Sequence, residues 1–213
     1  MKIYERIGDI VKEKEFNKYM SQDVWYHATT LAGWDNLCKQ KVKANYNYGQ
    51  QLDFGTGFYM CPKQKQAIDY IKRAVPYLDG IDERNQTPVI VEFELNISKL
   101  SREFKGKAFL HYDLDFAEFV FKNRLNPETK IHDYDYVFGV MSDSVPEMLM
   151  AKYTYNEITM EEALIQLTKW TSMSQICLNN QHLCDILKVR RAYILDAEFK
   201  EMEELNANDY NKN

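Results

Sequence analysis

Glycine and proline are scarce, eight and five of 213 residues, which excludes collagen-like and low-complexity architectures. No window approaches the roughly 18 uninterrupted apolar residues of a membrane-spanning helix. The segment from Met1 to Asp9 carries charges where a signal peptide needs an apolar run, so a cytoplasmic protein without membrane partners is expected. Cysteine is also sparse. Cys38, Cys61, Cys177 and Cys184 form no C-x-x-C pair, against a zinc ribbon or a thioredoxin-type redox site. His182 lies between the last two, but the spacing is looser than structural zinc uses, and buried free thiols are the expectation.

No large excess of positive charge is present. The formal net charge is −5, with 27 Lys and Arg against 32 Asp and Glu. Residues 196–213 concentrate six acids against two lysines. The nearly neutral body offers no footprint for bulk nucleic-acid binding. Aromatics, in contrast, are plentiful, with fifteen Tyr and eleven Phe. The length suits one domain with a buried core.

Periodicity organises the chain. Residues 1–22 contain a helical pattern over 2–19, on Ile3, Ile7, Ile10 and Val11. Residues 23–195 form the main domain, and the acidic segment 196–213 is expected to be a frayed tail. Strands are expected at 23–29, 57–61, 89–95, 136–141, 174–179 and 191–195, the last closing the sheet. Val89, Val91, Phe93 and Leu95 alternate with Ile90, Glu92 and Glu94, predicting one inward face. Helices are expected at about 30–39 with Thr29 or Thr30 as cap, from Pro62, at 113–124 with Asp113 as cap and Leu114 packing inward, and near 144–154 and 159–169. Strands and helices alternate only loosely, so the fold class is α+β.

Three polar residues sit where strands meet loops: His27, Tyr59 and Gln175. Each also has a purely structural reading as a hydrogen-bonded scaffold residue. Asp53-Phe-Gly-Thr-Gly-Phe-Tyr is more specific. Its glycines lead into a strand, whereas dinucleotide and P-loop fingerprints lead into a helix, so those readings fail. Gly55 and Gly57 are expected to let the backbone pass close to a flat ligand.

Five segments together resemble one family. They are Tyr26-His-Ala-Thr, the Asp53 heptad, Glu118-Phe-Val-Phe-Lys-Asn-Arg, Asp135-Tyr-Val-Phe-Gly with Asp143, and Ser174-Gln-Ile. The family is a bacterial domain of unknown function related to ADP-ribosyltransferases and marked by D-F-G-x-G-F-Y. The resemblance spans about residues 24–195 and implies a split β-sheet core that grips NAD, with surrounding helices. It implies that His27 bonds the ribose on the adenosine side, that Tyr59 stacks on nicotinamide, and that Gln175 stands where the His-Tyr-Glu branch has its catalytic glutamate. Ala28, Thr29, Asp53, Gly55, Gly57 and Phe58 would line the NAD site. No metal is implied.

The implied activity is mono-ADP-ribosyl transfer to a protein or nucleic-acid acceptor, as in a toxin or effector, with an antitoxin-like neutralising partner. Gln175 keeps an acceptor oxygen but lacks the charge that would stabilise an oxocarbenium-like ribose. Two other readings therefore stay open: a module that holds NAD or ADP-ribose without transfer, and an interaction protein using the N-terminal helix. Glu118 is read as a helix-surface ion pair. Asp135 and Asp143 are left out of the catalytic set.

Overall fold

The computed structural model describes residues 14, 17–77, 82–100, 103–142, 146–167 and 173–212. Among these residues, apolar, β-branched and aromatic runs build eight strands in two sheets. In the first sheet β1 (Val24–Thr30), β3 (Pro88–Glu94), β7 (Lys188–Leu195) and β8 (Glu201–Leu205) lie in that order and are antiparallel throughout. In the second the order is β2 (Phe58–Met60), β6 (Ser174–Leu178), β5 (Tyr136–Val140) and β4 (Gly106–Phe109). Only β4 and β5 run parallel there. With helices on the flanks, the fold is α+β.

A backbone bridge joins the sheets. Tyr26 of β1 and Cys61, just past β2, exchange both backbone hydrogen bonds at 2.9 and 2.8 Å. From this joint the sheets enclose an apolar core that includes Trp25, Val91, Phe93, Phe138, Ile176 and Leu178. Trp25 is fully buried and donates its indole N–H to the carbonyl of Leu95 at 3.0 Å, which satisfies the one polar atom of that side chain. The helix Gln64–Ala74 covers the far face of the first sheet through Ala67 and Ile71, against Ile90, Tyr193 and Leu195. The helix Leu114–Leu125 covers the second sheet, where Phe116 and Val120 meet Phe54, Phe109, Val137 and Cys177.

Several expectations need correction. Ile90 is fully buried, not outward, because a helix packs on the second face of β3. Leu114 is 43% exposed, since it opens its helix and precedes the buried stripe. The helix expected from Pro62 starts at Gln64.

The largest correction is at the C-terminus. Residues 201–205 pair with β7 as β8, so β7 is an interior strand, and residues 208–211 form a helical turn. Two acids of the expected frayed tail are paired: Glu204 accepts from Arg191 Nε at 3.0 Å, and Glu201 pairs with the same guanidinium. Tyr210 is 3% exposed and meets Phe93 edge-on at 5.8 Å. Asn211 closes the end by bonding both backbone groups of Val189, at 3.0 and 2.8 Å. Most of the helix expected over 2–19, and Asp143, lie outside the described residues. Residues 17–21 are helical, with Tyr19 and Met20 buried in the core.

Candidate functional site

The Asp53–Tyr59 loop is strapped to its surroundings at every turn. Gly55 has φ +72°, a left-handed conformation that favours glycine, and a Cβ there would meet Asn123 Oδ1 at 2.7 Å. A Cβ on Gly57 would lie 2.2 Å from Cys177 Sγ. Both glycines therefore permit close approach to neighbouring protein. Tyr59 closes the loop with its hydroxyl, donating to the Gly55 carbonyl at 2.8 Å and accepting from the Phe54 N–H at 3.0 Å. The side chain of Asn47 bonds both backbone groups of Gly57. Asn179 Nδ2 donates to the carbonyls of Phe54 and Thr56.

Next to the joint between the sheets lies a cleft of about 590 Å³, within the range of small-ligand sites. His27, Ala28, Thr29, Asp53, Gly57, Phe58, Tyr59 and Gln175 all line it. Gly55 does not; it borders a separate depression on the other side of the loop, with Asn123, His132 and Asn179. The cleft thus brings together eight of the nine site residues expected from the sequence, including all three strand-end polar groups.

His27 reaches across from β1. Its Nδ1 lies 2.8 Å from the Tyr59 carbonyl oxygen, which can only accept, so Nδ1 carries the proton. Burial pushes the imidazole below its ordinary pKa, although the bond to Tyr59 opposes this. The neutral ring stacks obliquely on Phe58 at 4.5 Å and keeps an acceptor lone pair on Nε2. Tyr59 and Gln175 come from the second sheet. Burial raises the Tyr59 hydroxyl well above its ordinary value, with Cys177 and Asp53 adding to the shift, so it stays protonated. Its ring lies stacked with Phe54 at 6.4 Å and 15°.

Below them is a polar network that sequence reasoning resolved only in part. Asp53, 4% exposed, accepts from Arg124 Nε at 2.8 Å, Ser142 Oγ at 2.6 Å and Gln175 Nε2 at 2.9 Å, and Arg124 Nη2 stands 2.6 Å from its Oδ1 as an ion pair. The backbone N–H of Ser142 adds a fourth hydrogen bond at 3.2 Å. Arg124 also donates to the Gln51 carbonyl at 2.9 Å. Such burial of a carboxylate requires this full set of partners. Gln66 holds the start of β6, donating to the Ser174 carbonyl at 2.7 Å.

Arg124, Ser142 and Gln66 were not candidates from the sequence. Arg124 was visible only as the last residue of the Glu118 motif, and no spacing rule couples it to a residue 71 positions away. Glu118 itself is exposed and pairs with Lys122 at 3.2 Å, one helical turn on. Asp135 is committed to structure, accepting from the Lys105 N–H at 2.7 Å and from Asn180 Nδ2 at 2.6 Å.

Among the described residues, the charged groups lining the cleft are three cations, Lys41, Lys43 and Arg124, and one carboxylate, Asp53. Lys41 is committed to the Tyr210 carbonyl and ring. Lys43 is exposed and has no partner among the described residues. Among the described residues no cluster of three His, Cys, Asp or Glu side chains is placed to hold a metal ion, and no helix is long and apolar enough to cross a membrane.

These features define a class: an α+β domain whose two sheets diverge around a ligand-sized cleft. Residues 37–189 match the family model described as "Protein of unknown function (DUF3990)", and the chain belongs to that family. No curated protein and no solved structure matches it.

Proposed function

We propose that the cleft binds NAD and that the protein is a mono-ADP-ribosyltransferase acting on a macromolecular acceptor. One observation carries the reading. Two acceptors with fixed orientation, His27 Nε2 and Gln175 Oε1, line one cleft together with an aromatic wall and free cationic charge at Lys43. Ribosyl hydroxyls supply the donors that such acceptors need, a nicotinamide ring suits the Tyr59 face, and a pyrophosphate suits the lysine. Membership of the family is compatible with this reading, as are the divided sheets.

In the proposed reaction the bond between the nicotinamide nitrogen and ribose C1′ breaks. Its electron pair leaves with nicotinamide, which becomes neutral. The acceptor's nucleophilic atom bonds to C1′, and its proton passes to solvent. His27 and Tyr59 orient the dinucleotide, and positioning of this kind accounts for a large part of such barriers. Nicotinamide release from NAD, and transfer of labelled ADP-ribose to cell extract protein or RNA, test the proposal. Loss of both in Tyr59→Ala and His27→Ala is expected.

One observation favours a second reading. The cleft's carboxylate, Asp53, is neutralised by Arg124, and Gln175 brings no charge of its own. A domain that holds NAD or ADP-ribose without transferring it fits this geometry. NAD binding without nicotinamide release selects that reading.

A further inference from the structure

An isolated glutamine amide is ambiguous, because a half-turn exchanges its donor for its acceptor. Gln175 is not isolated. Its Nε2 lies 2.9 Å from Asp53 Oδ2, and a carboxylate only accepts. The reversed amide would set oxygen against oxygen. The carboxylate is itself held in place by Arg124 and Ser142, and Gln66 anchors Ser174, one residue before Gln175. Gln175 is 8% exposed and lines the cleft. Its Oε1 has no protein partner, yet among the described residues the one buried side-chain polar atom without a partner is Asn179 Oδ1. Oε1 is therefore open to the cleft.

We propose that Asp53 is the positioning residue that fixes Gln175 as a one-way acceptor, so that the cleft selects a ligand presenting a hydroxyl donor at this point. The inference rests on the reading of the cleft as an NAD site and adds its specificity: the ligand class is a ribosyl group with its 2′-hydroxyl intact, and a deoxy ligand is rejected. The charge that a glutamate at 175 would bring sits one hydrogen bond further back, on Asp53. A glutamate at position 175 would stand against Asp53 as a second carboxylate, and the two like charges would repel.

Ligand discrimination tests the proposal. Calorimetric affinities for NAD and for its analogue lacking the nicotinamide-ribose 2′-hydroxyl are compared in the native protein and in Asp53→Asn. A site built around a hydrogen bond rejects the analogue lacking the donor, and a preference of at least about tenfold is expected for the native protein. In Asp53→Asn the amide is free to reverse, and the preference should fall to about twofold or less. An unchanged preference in Asp53→Asn, or none in the native protein, overturns the proposal. Should Asp53→Asn fail to fold, amide spectra of the native protein decide. Slowly exchanging Gln175 Nε2 protons are expected, and rapid exchange would refute the Asp53 lock. If NAD does not bind the native protein at all, the NAD reading fails, while those spectra still report on the lock.

Discussion

The Nδ1 of His27 and the carbonyl oxygen of Tyr59 lie 2.8 Å apart, on different sheets. The contact ties the sheets together beside the Tyr26–Cys61 joint and sets the histidine tautomer. A carbonyl cannot donate, so Nε2 is left as the acceptor of the ring. The contact that ties the sheets together is thus also the one that sets the tautomer.

Protonating that ring would remove its acceptor and place a charge in a desolvated position. Burial pushes His27 below the ordinary histidine value, and His132, which bonds the Phe54 carbonyl at 3.1 Å, is shifted the same way for the same first cause. Between the lowered folded values and the unfolded value of about 6.5 the unfolded chain binds more protons, so unfolding free energy rises with pH. The stabilisation is complete above about pH 6.5 and is lost as pH falls towards the folded values. Urea titrations between pH 7.5 and 5 should show this loss. His27→Gln and His132→Gln should each flatten the slope.

The Tyr59 hydroxyl has both a donor and an acceptor role inside the Asp53 loop. Tyr59→Phe keeps the ring but leaves the Phe54 N–H and the Gly55 carbonyl without that partner. The cost should be about 1–3 kcal/mol, read as a lower urea midpoint at unchanged slope. A loss near zero would mean that the loop does not depend on this closure.

Legibility in the sequence followed the range of the interactions. Local patterns served well. Thr30 caps its helix by accepting from the Gly33 N–H, and Asp113 caps another by accepting from the Phe116 N–H; both rest on contacts three residues apart. Expectations failed where a distant segment decides the environment. Ile90 looked outward because its period-two pattern carries no information about the Gln64–Ala74 helix above it. The C-terminal segment looked frayed because the partner of Glu201 and Glu204, Arg191, belongs to another strand. The cleft was legible through its motif residues His27, Tyr59 and Gln175. The Arg124–Asp53 pair was not, since composition and spacing say nothing of which buried charge meets which.

That pair sets a sharp contrast between two residues of one helix. The Arg124 side chain is 12% exposed against Asp53 at 5%, and Arg124→Met would leave a buried carboxylate without its cation. Removing one partner of such a pair costs about 3–5 kcal/mol. Glu118→Gln, at an exposed pair with Lys122, should stay within about 0.5 kcal/mol. Chemical denaturation of the two variants side by side checks both.

The C-terminal segment provides a test of packing. Tyr210 lies against Phe93, beneath the Lys41 ammonium at 4.2 Å from the ring centroid. Tyr210→Ala removes a buried ring and should cost about 3 kcal/mol or more. Truncation after Asn206 should cost at least as much, because Asn211 also leaves the backbone of Val189 unpaired. A frayed tail would show no change in melting temperature in either case.

The binding reading is most simply tested by ligand-induced stabilisation, since a ligand that binds only the folded state raises its melting temperature. Millimolar NAD should raise the melting temperature of the native protein. Lys43 is exposed on the cleft rim, with no partner among the described residues, so Lys43→Glu should leave the unliganded melting temperature almost unchanged. It should still weaken NAD binding several-fold, because it replaces an attractive charge near a pyrophosphate with a repulsive one. Raising salt from 50 to 500 mM should reduce the native shift towards that of the variant, because an exposed ion contact is screened. A shift that persists fully in Lys43→Glu would place the phosphates elsewhere in the cleft, and Tyr59→Ala would then show whether the nicotinamide end is correctly assigned.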